Sequence, residues 1–484
     1  MSTAIAMAAP AVILGGLLLW LINWYFHEQK SGGSAIQKKS RVSSLPPVPE
    51  VPGLPVIGNA LQLREGRPHM TFAKLAKKYG PIFSIRVGSK PIVVVNSEDI
   101  AKEAMVTRFS SITRKNLSKN LSRAAFDRKM VALCDYGDFH KTAKRHMTHN
   151  VVGPNAQKQH RVHRDTLIDD VAKDFHTHVK NHGLQPVNFR DIYSSDIFGL
   201  ALKEAIGRDV EYIDVEELGR LSRPEILKTL LTDPVEIALQ YITLGDYFPF
   251  LKWIPQRNFE RKIEKMYSRR LAVMKALIKE QTERAASGEE MNNCYLKYLL
   301  AEGKTLTEKE ITSLVWEVII ESSDTTMITT EWALFELARN QKIQESLYEE
   351  IRSICGSDKI TEENLCQLPF LDAVFHETLR KYPALPMVPL RYWEKPEEWN
   401  PERFLDDKKE YAPNDLYKTM AFGAGKRLCA GALQGVVVGS TTIGRLVQEF
   451  EWRLEGREAK DVDIVGIATQ KLRPMHAVIR PRNL

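Results

Sequence analysis

Cysteine is scarce in this chain, and runs of one charge are missing. Its 484 residues include five cysteines, which are scattered without a CxxC pair. An odd number of unclustered cysteines argues against a disulfide framework and favours a reducing compartment. The net charge of +7 is modest, and there is no arginine-rich tract. An acidic membrane surface or an acidic protein partner is therefore favoured, and no nucleic acid partner is expected.

The N-terminus has no basic residue ahead of its apolar run, Ala4–Phe26. That run is long enough to cross about 30 Å of hydrocarbon as a helix. We therefore expect residues 1–27 to form a transmembrane anchor and residues 28–45 a basic linker. Because lysines and an arginine follow the run and none precede it, the positive-inside rule places the rest of the chain in the cytosol. A cleaved signal peptide is the alternative, but the run is longer than a usual h-region.

The body of the chain shows no repeat, low-complexity linker or break in composition after Gly58. With 43% hydrophobic and 27% charged residues it is neither disordered nor a polytopic membrane protein. Residues 46–484 are therefore expected to form one domain. The proline-rich residues 46–55 predict an extended, semi-rigid hinge after the linker, with an SH3 or WW ligand as the alternative.

Helical periodicity dominates this domain, so the predicted fold class is mainly α with a minor β part. The predicted helices are Thr71–Tyr79, Ser97–Met105, Tyr136–Met147, Val162–His182, Asn258–Ala286, Glu308–Asn340, Gln341–Cys355, Leu371–Tyr382 and Gly431–Trp452. The predicted strands are the short β-branched runs Ile82–Val87, Pro91–Val95 and His476–Ile479.

The most informative motif is FGAGKRLCAG, from Phe422 to Gly431. Cys429 can supply a thiolate to a haem iron, and electron donation from that thiolate favours O–O cleavage. Gly423 and Gly425 allow a tight turn with positive φ and a close approach of the backbone to the porphyrin, while Phe422 can cover the ring. A buried structural cysteine does not explain this combination of residues.

Charge in the same motif points to a bound anion and an ionised sulfur. Arg427 can pair with a haem propionate. The helix that begins near Gly431 is expected to direct its N–H groups at the sulfur of Cys429 and so lower the pKa of the thiol. A phosphate-binding loop is disfavoured, because Arg427 stands where such a loop needs Ser or Thr.

The motif resembles the haem-binding signature of the cytochromes P-450 at every defined position, and other signatures of that family appear in the expected order. Glu377-Thr-Leu-Arg380 resembles the family's Glu-x-x-Arg helix, and Arg403 lies in a segment that resembles its partner. Residues three apart share a helix face, so a buried triad of Glu377, Arg380 and Arg403 is expected. The resemblance implies the cytochrome P-450 fold preceded by one transmembrane helix. It also implies haem b, and a monooxygenase that uses O2 and NADPH through a flavin-containing cytochrome P-450 reductase.

Midway along the predicted helix Glu308–Asn340, residues 321–326 resemble the family's oxygen-activating segment. The resemblance implies that Thr325 directs protons to bound oxygen and that Asp324 supplies them through water. Small polar side chains here are expected to bond back to carbonyl groups and open the helix. The first two positions, Glu321 and Ser322, depart from the small residues usual in the family.

A second departure concerns the haem propionates. His140 and Lys144 stand where most members have Trp-x-x-x-Arg; both can still bind a carboxylate, and Arg391 is a further candidate. With the segments 379–392 and 415–421, these features are similar to the ent-kaurene oxidases of plants, a branch of the family. The residues expected on the substrate side are Ser323, Thr325, Leu385, Met387 and Val388.

The resemblance to that branch implies three successive oxidations of one methyl group, from ent-kaurene to ent-kaurenoic acid, in gibberellin biosynthesis. The membrane is then the endoplasmic reticulum or the plastid outer envelope. Three alternatives stay open: a paralogue that hydroxylates another labdane-related diterpene, a truncated inactive variant kept for binding or regulation, and a haem-free membrane adaptor.

The truncated alternative rests on a short spacing. Glu377 and Arg403 are 26 positions apart (403 − 377), about half the usual separation in the family. A segment able to form several strands is therefore expected to be missing after Tyr392. Its loss predicts unpaired strand edges, less packing around the triad, impaired haem incorporation and little turnover.

Overall fold

A computed structural model of the chain describes residues 47–63, 68–238, 244–248, 251, 257–289, 291–301, 306–385, 395, 397–405, 419–454, 472 and 474–482. The predicted anchor and linker lie outside these residues, as do Met387, Val388 and Arg391. Within the described ranges, no helix is long and apolar enough to span a bilayer. Contacts divide the chain into two units, one of residues up to 96 with 244–253 and one of residues 97–243 with 254–484. The expectation of a single domain over 46–484 stays a prediction.

The elements confirm a mainly helical fold with small antiparallel sheets. The α-helices of the described residues are α1 Pro68–Tyr79, α2 Glu98–Lys102, α3 Lys119–Ala124, α4 Asp138–Met147, α5 Pro154–His182, α6 Phe189–Ile206, α7 Arg223–Leu227, α8 Asp233–Ala238, α9 Leu244–Tyr247, α10 Arg257–Ala286, α11 Tyr295–Ala301, α12 Glu308–Arg339, α13 Gln341–Cys355, α14 Pro369–Lys381 and α15 Ala432–Glu449. The strands are β1 Ile82–Val87, β2 Lys90–Val95, β3 Val187–Asn188, β4 Tyr212–Val215, β5 Gly219–Ser222, β6 Phe450–Leu454 and β7 His476–Pro481.

In the smaller unit, β1 and β2 form an antiparallel hairpin from Ile82 opposite Val95 to Val87 opposite Lys90. Among the described residues β2 has a ladder with β1 alone, and Val93 on it is 56% exposed. The proline-rich segment bonds to β1: Ser84 N–H donates to the Pro49 carbonyl (2.8 Å) and Val51 N–H to the Ser84 carbonyl (2.9 Å). Its described part is therefore packed against this hairpin and is not a free spacer.

In the larger unit, several predicted boundaries are corrected. Helix α5 begins at Pro154, eight residues before the predicted Val162, because Pro at the first turn is pre-set for a helix. Helix α6 was not predicted, since 11 of its 18 residues are buried and no polar stripe marks its period. The predicted helix ending at Trp452 stops at Glu449, and Phe450–Leu454 is a strand, because β7 pairs with it from a distant part of the chain.

Helix α12 is the central element of the larger unit. A capping box starts it: Glu310 N–H donates to Thr307 Oγ1 (3.3 Å), and Thr307 N–H donates to Glu310 Oε2 (3.0 Å). The helix packs against α6, α15 and β6, and most of its side chains are buried. Its exposed positions are therefore informative about the site that follows.

Candidate active site

The segment before α15 forms a tight hairpin closed by three backbone hydrogen bonds. Gly423 N–H donates to Met420 O (2.9 Å), Leu428 N–H to Gly425 O (3.0 Å), and Cys429 N–H to Phe422 O (2.8 Å). Gly425 has a φ of +61°, and a Cβ there would lie 2.3 Å from the Met105 carbonyl oxygen. Only glycine fits such a position, and it fixes the hairpin that presents the side chain of Cys429.

The ring of Phe422 is half-buried and borders α15. A Cβ at Gly435 would lie 3.7 Å from it, so the small residue makes room for the ring. Gly423, with a φ of +74°, turns the chain directly after the phenylalanine. The two residues expected to contact a porphyrin are thus held at the base of α15.

The expected lowering of the Cys429 pKa is wrong in direction for the protein alone. The N–H of Gly431 and the charge of Lys144 do lower it, but burial and the charge of Glu321 outweigh them and raise the pKa to about 11. The helix terminus contributes one N–H, which is too little against desolvation. A coordinated metal cation would offset this rise, because it deprotonates a coordinating thiol outright.

Arg427 and Lys144 tie the hairpin to the rest of the unit. The guanidinium donates to three carbonyl groups, those of Cys134 (2.8 Å), Val131 (3.2 Å) and Thr113 (3.4 Å). The ammonium group of Lys144, on α4, donates to the carbonyl of Leu428 (2.7 Å) and to that of Lys426 (3.1 Å). All five acceptors are neutral.

His140 lies one turn before Lys144 and is 2% exposed, and its Nδ1 has no hydrogen-bond partner within the described residues. Burial, followed by the charges of Arg427, Lys144 and Lys115, lowers its pKa to about 4. Burial also lowers the pKa of Lys115 and that of Lys144, with Arg427 adding to both effects.

We name Lys115, His140, Lys144 and Arg427 the cationic cluster. None of the interactions described for the side chains of its members is with a carboxylate; the Lys115 backbone N–H alone donates to one, Asp135 Oδ1 (2.7 Å). His140 is buried, Lys144 and Arg427 are half-buried, and Lys115 is exposed. Basic groups that lower one another's pKa are unfavourable when crowded together without anions, so this set fits a ligand that brings its own negative charges. The two propionates of haem meet that requirement. Lys115 was missed from the sequence, because it belongs to no motif and reaches the cluster from the loop before α3.

A buried carboxylate on α12 holds the loop that Arg427 contacts. Glu317 is completely buried, and its carboxylate accepts the N–H groups of Val131 (2.8 Å) and Ala132 (2.7 Å). The carbonyl of that same Val131 is an acceptor of Arg427. Residues 131–134 thus join α12 to the hairpin. Glu317 was not predicted as a site residue from the sequence, although it lies one turn before Glu321 and therefore on the same face of the helix.

The predicted triad is assembled in the structure. Arg380 Nε donates to Glu377 Oε2 (2.6 Å) and its Nη2 to Glu377 Oε1 (2.9 Å), while Arg403 Nε lies 3.5 Å from Oε1. The N–H of Asn400 also donates to Glu377 (2.7 Å), which is 0% exposed. The described residues exclude water from the carboxylate of this triad. The expected loss of packing relative to a chain that has the missing segment stays a prediction.

Comparison with known proteins decides the family. The sequence profile described as Cytochrome P-450 matches residues 46–392 and 389–478 of the chain. The chain belongs to the cytochrome P-450 family. The family resemblance, the monooxygenase class and the haem cofactor expected from the hairpin motif are thereby confirmed.

Three relatives of this cytochrome P-450 are similar over most of their length. An ent-kaurene oxidase of Salvia miltiorrhiza is 48% identical over 99% of this chain and 96% of its own. Ent-kaurene oxidase-like 3 of Oryza sativa subsp. japonica is 45% identical, covering 90% and 92%. Ent-sandaracopimaradiene 3-hydroxylase of the same plant is 42% identical, covering 90% and 91%. The expected likeness to the ent-kaurene oxidase branch is confirmed.

The comparisons also bear on the missing segment. The two stretches of the cytochrome P-450 match meet at residues 389–392, so the family pattern is interrupted there. The alignment to the Salvia miltiorrhiza relative runs over 512 positions against 484 residues here, which leaves at least 28 positions (512 − 484) without a counterpart. Both findings agree with an internal deletion after Tyr392.

The open face of α12 carries Glu321 and Thr325, which are four residues apart and therefore on one side of the helix. Thr325 is half-exposed, and its hydroxyl donates to the Glu321 carbonyl (2.9 Å). Ser323 is 1% exposed and bonds back to Ile319 O (2.8 Å), so it lies on the opposite side, away from Thr325. Asp324 is 9% exposed. The helix is continuous through this segment, so the expected opening is absent. The hydroxyls of Ser322, Ser323 and Thr325 bond back to carbonyl groups without displacing the backbone.

Of the residues expected on the substrate side, Thr325 faces outward from α12, and Leu385 is 53% exposed at the edge of the described residues. Met387 and Val388 lie outside those residues, as does the propionate candidate Arg391. The structure therefore brings together the hairpin, the cationic cluster and the open face of α12.

Proposed function

We propose that this cytochrome P-450 is a haem-thiolate oxidase of the ent-kaurene oxidase type, which converts a methyl group of an apolar diterpene to a carboxylic acid. The cationic cluster carries the proposal: four basic groups lie beside the hairpin of Cys429, and the described acceptors of their side chains are neutral carbonyls. The similarity to the Salvia ent-kaurene oxidase and to the rice ent-kaurene oxidase-like 3 supports the diterpene substrate. A place in gibberellin biosynthesis is part of the same proposal.

Bound haem supplies the activation of dioxygen, and the protein supplies its position. Cys429 would ligate the iron, Phe422 and Gly423 would contact the porphyrin, and Lys115, His140, Lys144 and Arg427 would hold the propionates. On the other side, Thr325 presents its hydroxyl on the open face of α12 and can direct a proton to the oxygen site. Asp324, which directly precedes Thr325 in the chain, is the proton source in this proposal.

Electrons from NADPH would arrive through the flavins of a membrane-bound cytochrome P-450 reductase. The apolar residues 1–27 would anchor the protein in the endoplasmic reticulum or the plastid outer envelope, with residues 46–484 as the cytosolic haem-binding domain. A hydrocarbon offers no hydrogen bond, so its selection depends on shape, and a methyl group is worth only about 1–3 kcal/mol in such a pocket.

Hydroxylation of another labdane-related diterpene is the second candidate, and the 42% identity to the rice 3-hydroxylase favours it. The two candidates differ in product. With a reductase and ent-kaurene, the first gives a carboxylic acid from one methyl group. With ent-sandaracopimaradiene, the second gives a ring alcohol.

The test pairs product analysis with the carbonyl spectrum of the reduced protein. We expect the wild-type chain to show the thiolate-type Soret band and to form the diterpene acid. Cys429→Ser should lose both, because a serine hydroxyl is too weakly acidic to be an equivalent anionic ligand. Cys366→Ser, at an exposed cysteine, is the matched control and should keep both. A thiolate-type band in Cys429→Ser would overturn the ligand assignment.

A further inference from the structure

Glu321 is a carboxyl group that neither the haem site nor proton delivery uses. It lies one helical turn before Thr325 and one turn after Glu317, so the three side chains follow one face of α12. Glu317 is occupied, since its carboxylate accepts the N–H groups of Val131 and Ala132. Glu321 stands where the family usually has a small residue, at the level of the oxygen-activating segment.

The side chain of Glu321 borders an interior space. It is exposed, yet protein surrounds it closely enough for burial to raise its pKa to about 7. Cys429 shows the same combination, an exposed side chain whose pKa burial raises, and the charge of Glu321 acts on it. Both side chains are therefore accessible yet closely surrounded by protein, and they lie within electrostatic range of each other.

We propose that Glu321 binds the partly oxidised diterpene, donating a hydrogen bond from its neutral carboxyl group to the alcohol or aldehyde oxygen and holding it for the next oxidation. This inference rests on the proposed function and adds to it a role for one side chain. Three rounds on one carbon pass through two intermediates, and each must be bound when the next round begins. The hydrocarbon cannot use a polar group, whereas both intermediates can.

The carboxyl group of Glu321 also disfavours binding of the final product, the diterpene carboxylic acid. A carboxylate placed beside Glu321 meets either a charge of the same sign or the cost of keeping both acids neutral. Glu317, one turn away, adds to that cost. The positive charge of Lys144 is directed elsewhere, since its ammonium group donates to the Leu428 carbonyl on the side of Cys429. Retention of the intermediates and release of the acid thus follow from one side chain.

The test compares ligands that differ in oxidation state. The haem-loaded chain is titrated with ent-kaurene, its alcohol, its aldehyde and its acid, and binding is followed by the shift of the Soret band. Glu321→Ala should bind ent-kaurene as tightly as wild type and the alcohol and aldehyde about tenfold more weakly. In turnover it should release those two compounds. Glu321→Gln keeps a donor without a charge, so it should hold the alcohol and bind the acid more tightly than wild type.

Glu308→Ala is the matched control, because Glu308 is on the same helix with a 74% exposed side chain. It should leave all four affinities unchanged. Equal loss of affinity for the hydrocarbon and the alcohol in Glu321→Ala, at normal haem content and carbonyl spectrum, would overturn the inference while the proposed function stands. If the wild-type chain oxidises no diterpene, the proposed function has failed, and this inference fails with it.

Discussion

Two clusters of basic side chains in the larger unit are built in opposite ways. In the triad, Arg380 and Arg403 share the carboxylate of Glu377, and Arg380 takes up a neighbouring carbonyl as well (Glu398 O, 2.9 Å). In the cationic cluster, the described acceptors of the side chains are carbonyl groups alone, and the basic groups lower one another's pKa.

The difference is the one expected between a structural cluster and a binding site. In the triad the charged groups satisfy one another within the protein, so breaking the set from one side is costly. The side chains of the cationic cluster have no anionic partner among the described residues, which supports the proposal that an external anion binds there. Sequence motifs mark members of both clusters equally well, since Arg380 and Arg427 each stand at a defined signature position. Only the partners, seen in three dimensions, tell the two kinds apart.

The largest effect is expected from Glu377→Gln, which leaves two arginines around a neutral side chain. We expect the free energy of unfolding to fall by about 3–5 kcal/mol, because a buried pair is broken from one side. Denaturant unfolding measures it. The control is Glu345→Gln, whose carboxylate is 51% exposed and lies 2.9 Å from Arg482; it should cost about 1 kcal/mol or less. Equal costs for the two variants would show that burial of the triad does not matter.

In the cationic cluster, removal of one charged group should not lower the free energy of unfolding of the apoprotein. Lys115→Met relieves repulsion from Arg427, so the apoprotein should be as stable as wild type or more stable. Haem should then bind about tenfold to a hundredfold more weakly, because one charge-assisted hydrogen bond is lost. Haem transfer to an excess of an acceptor protein measures this. Lys141→Met, 57% exposed on α4, is the control. A destabilised apoprotein with unchanged haem affinity would assign Lys115 to structure.

The smallest effect on the triad is expected from restoring the segment missing after Tyr392. Glu377 is already inaccessible to water, so the cost of Glu377→Gln should change by less than about 1 kcal/mol when a homologous segment is inserted. Haem per chain and diterpene acid formation should both rise, since the strands return packing surface. Equal haem content and equal turnover in the two chains would remove the proposed cost of the deletion.

Local patterns in the sequence predicted much of this protein. Helix α13 was predicted with its exact bounds, and the hairpin motif indicated the family. These features depend on residues within a few positions of one another, so the sequence alone carries the signal. The triad was also predictable, because two of its members share one helical turn and the third lies in a segment of recognisable pattern.

Features that depend on distant parts of the chain were missed or reversed. Glu317 binds backbone N–H groups far along the chain, and Lys115 lies near the charge of the distant Arg427; no spacing rule encodes either contact. Helix α6 is buried on most sides and shows no period. The pKa of Cys429 depends on a balance between one N–H group and the burial that the whole fold produces, and the charge of Glu321, from α12, raises that pKa further.

The loop of residues 131–134 has a consequence for the order of assembly during synthesis. It is made early, but the carboxylate that holds its N–H groups comes 186 residues after Val131, and the guanidinium that holds its carbonyls comes 296 residues after it. Contacts of such long range form late, because the intervening chain must first be closed into a loop. A ribosome releases Arg427 long after it has released this loop. The contacts that join the loop to α12 and to the hairpin therefore form late relative to the loop itself, and the site around Cys429 has no complete wall until Arg427 has been made.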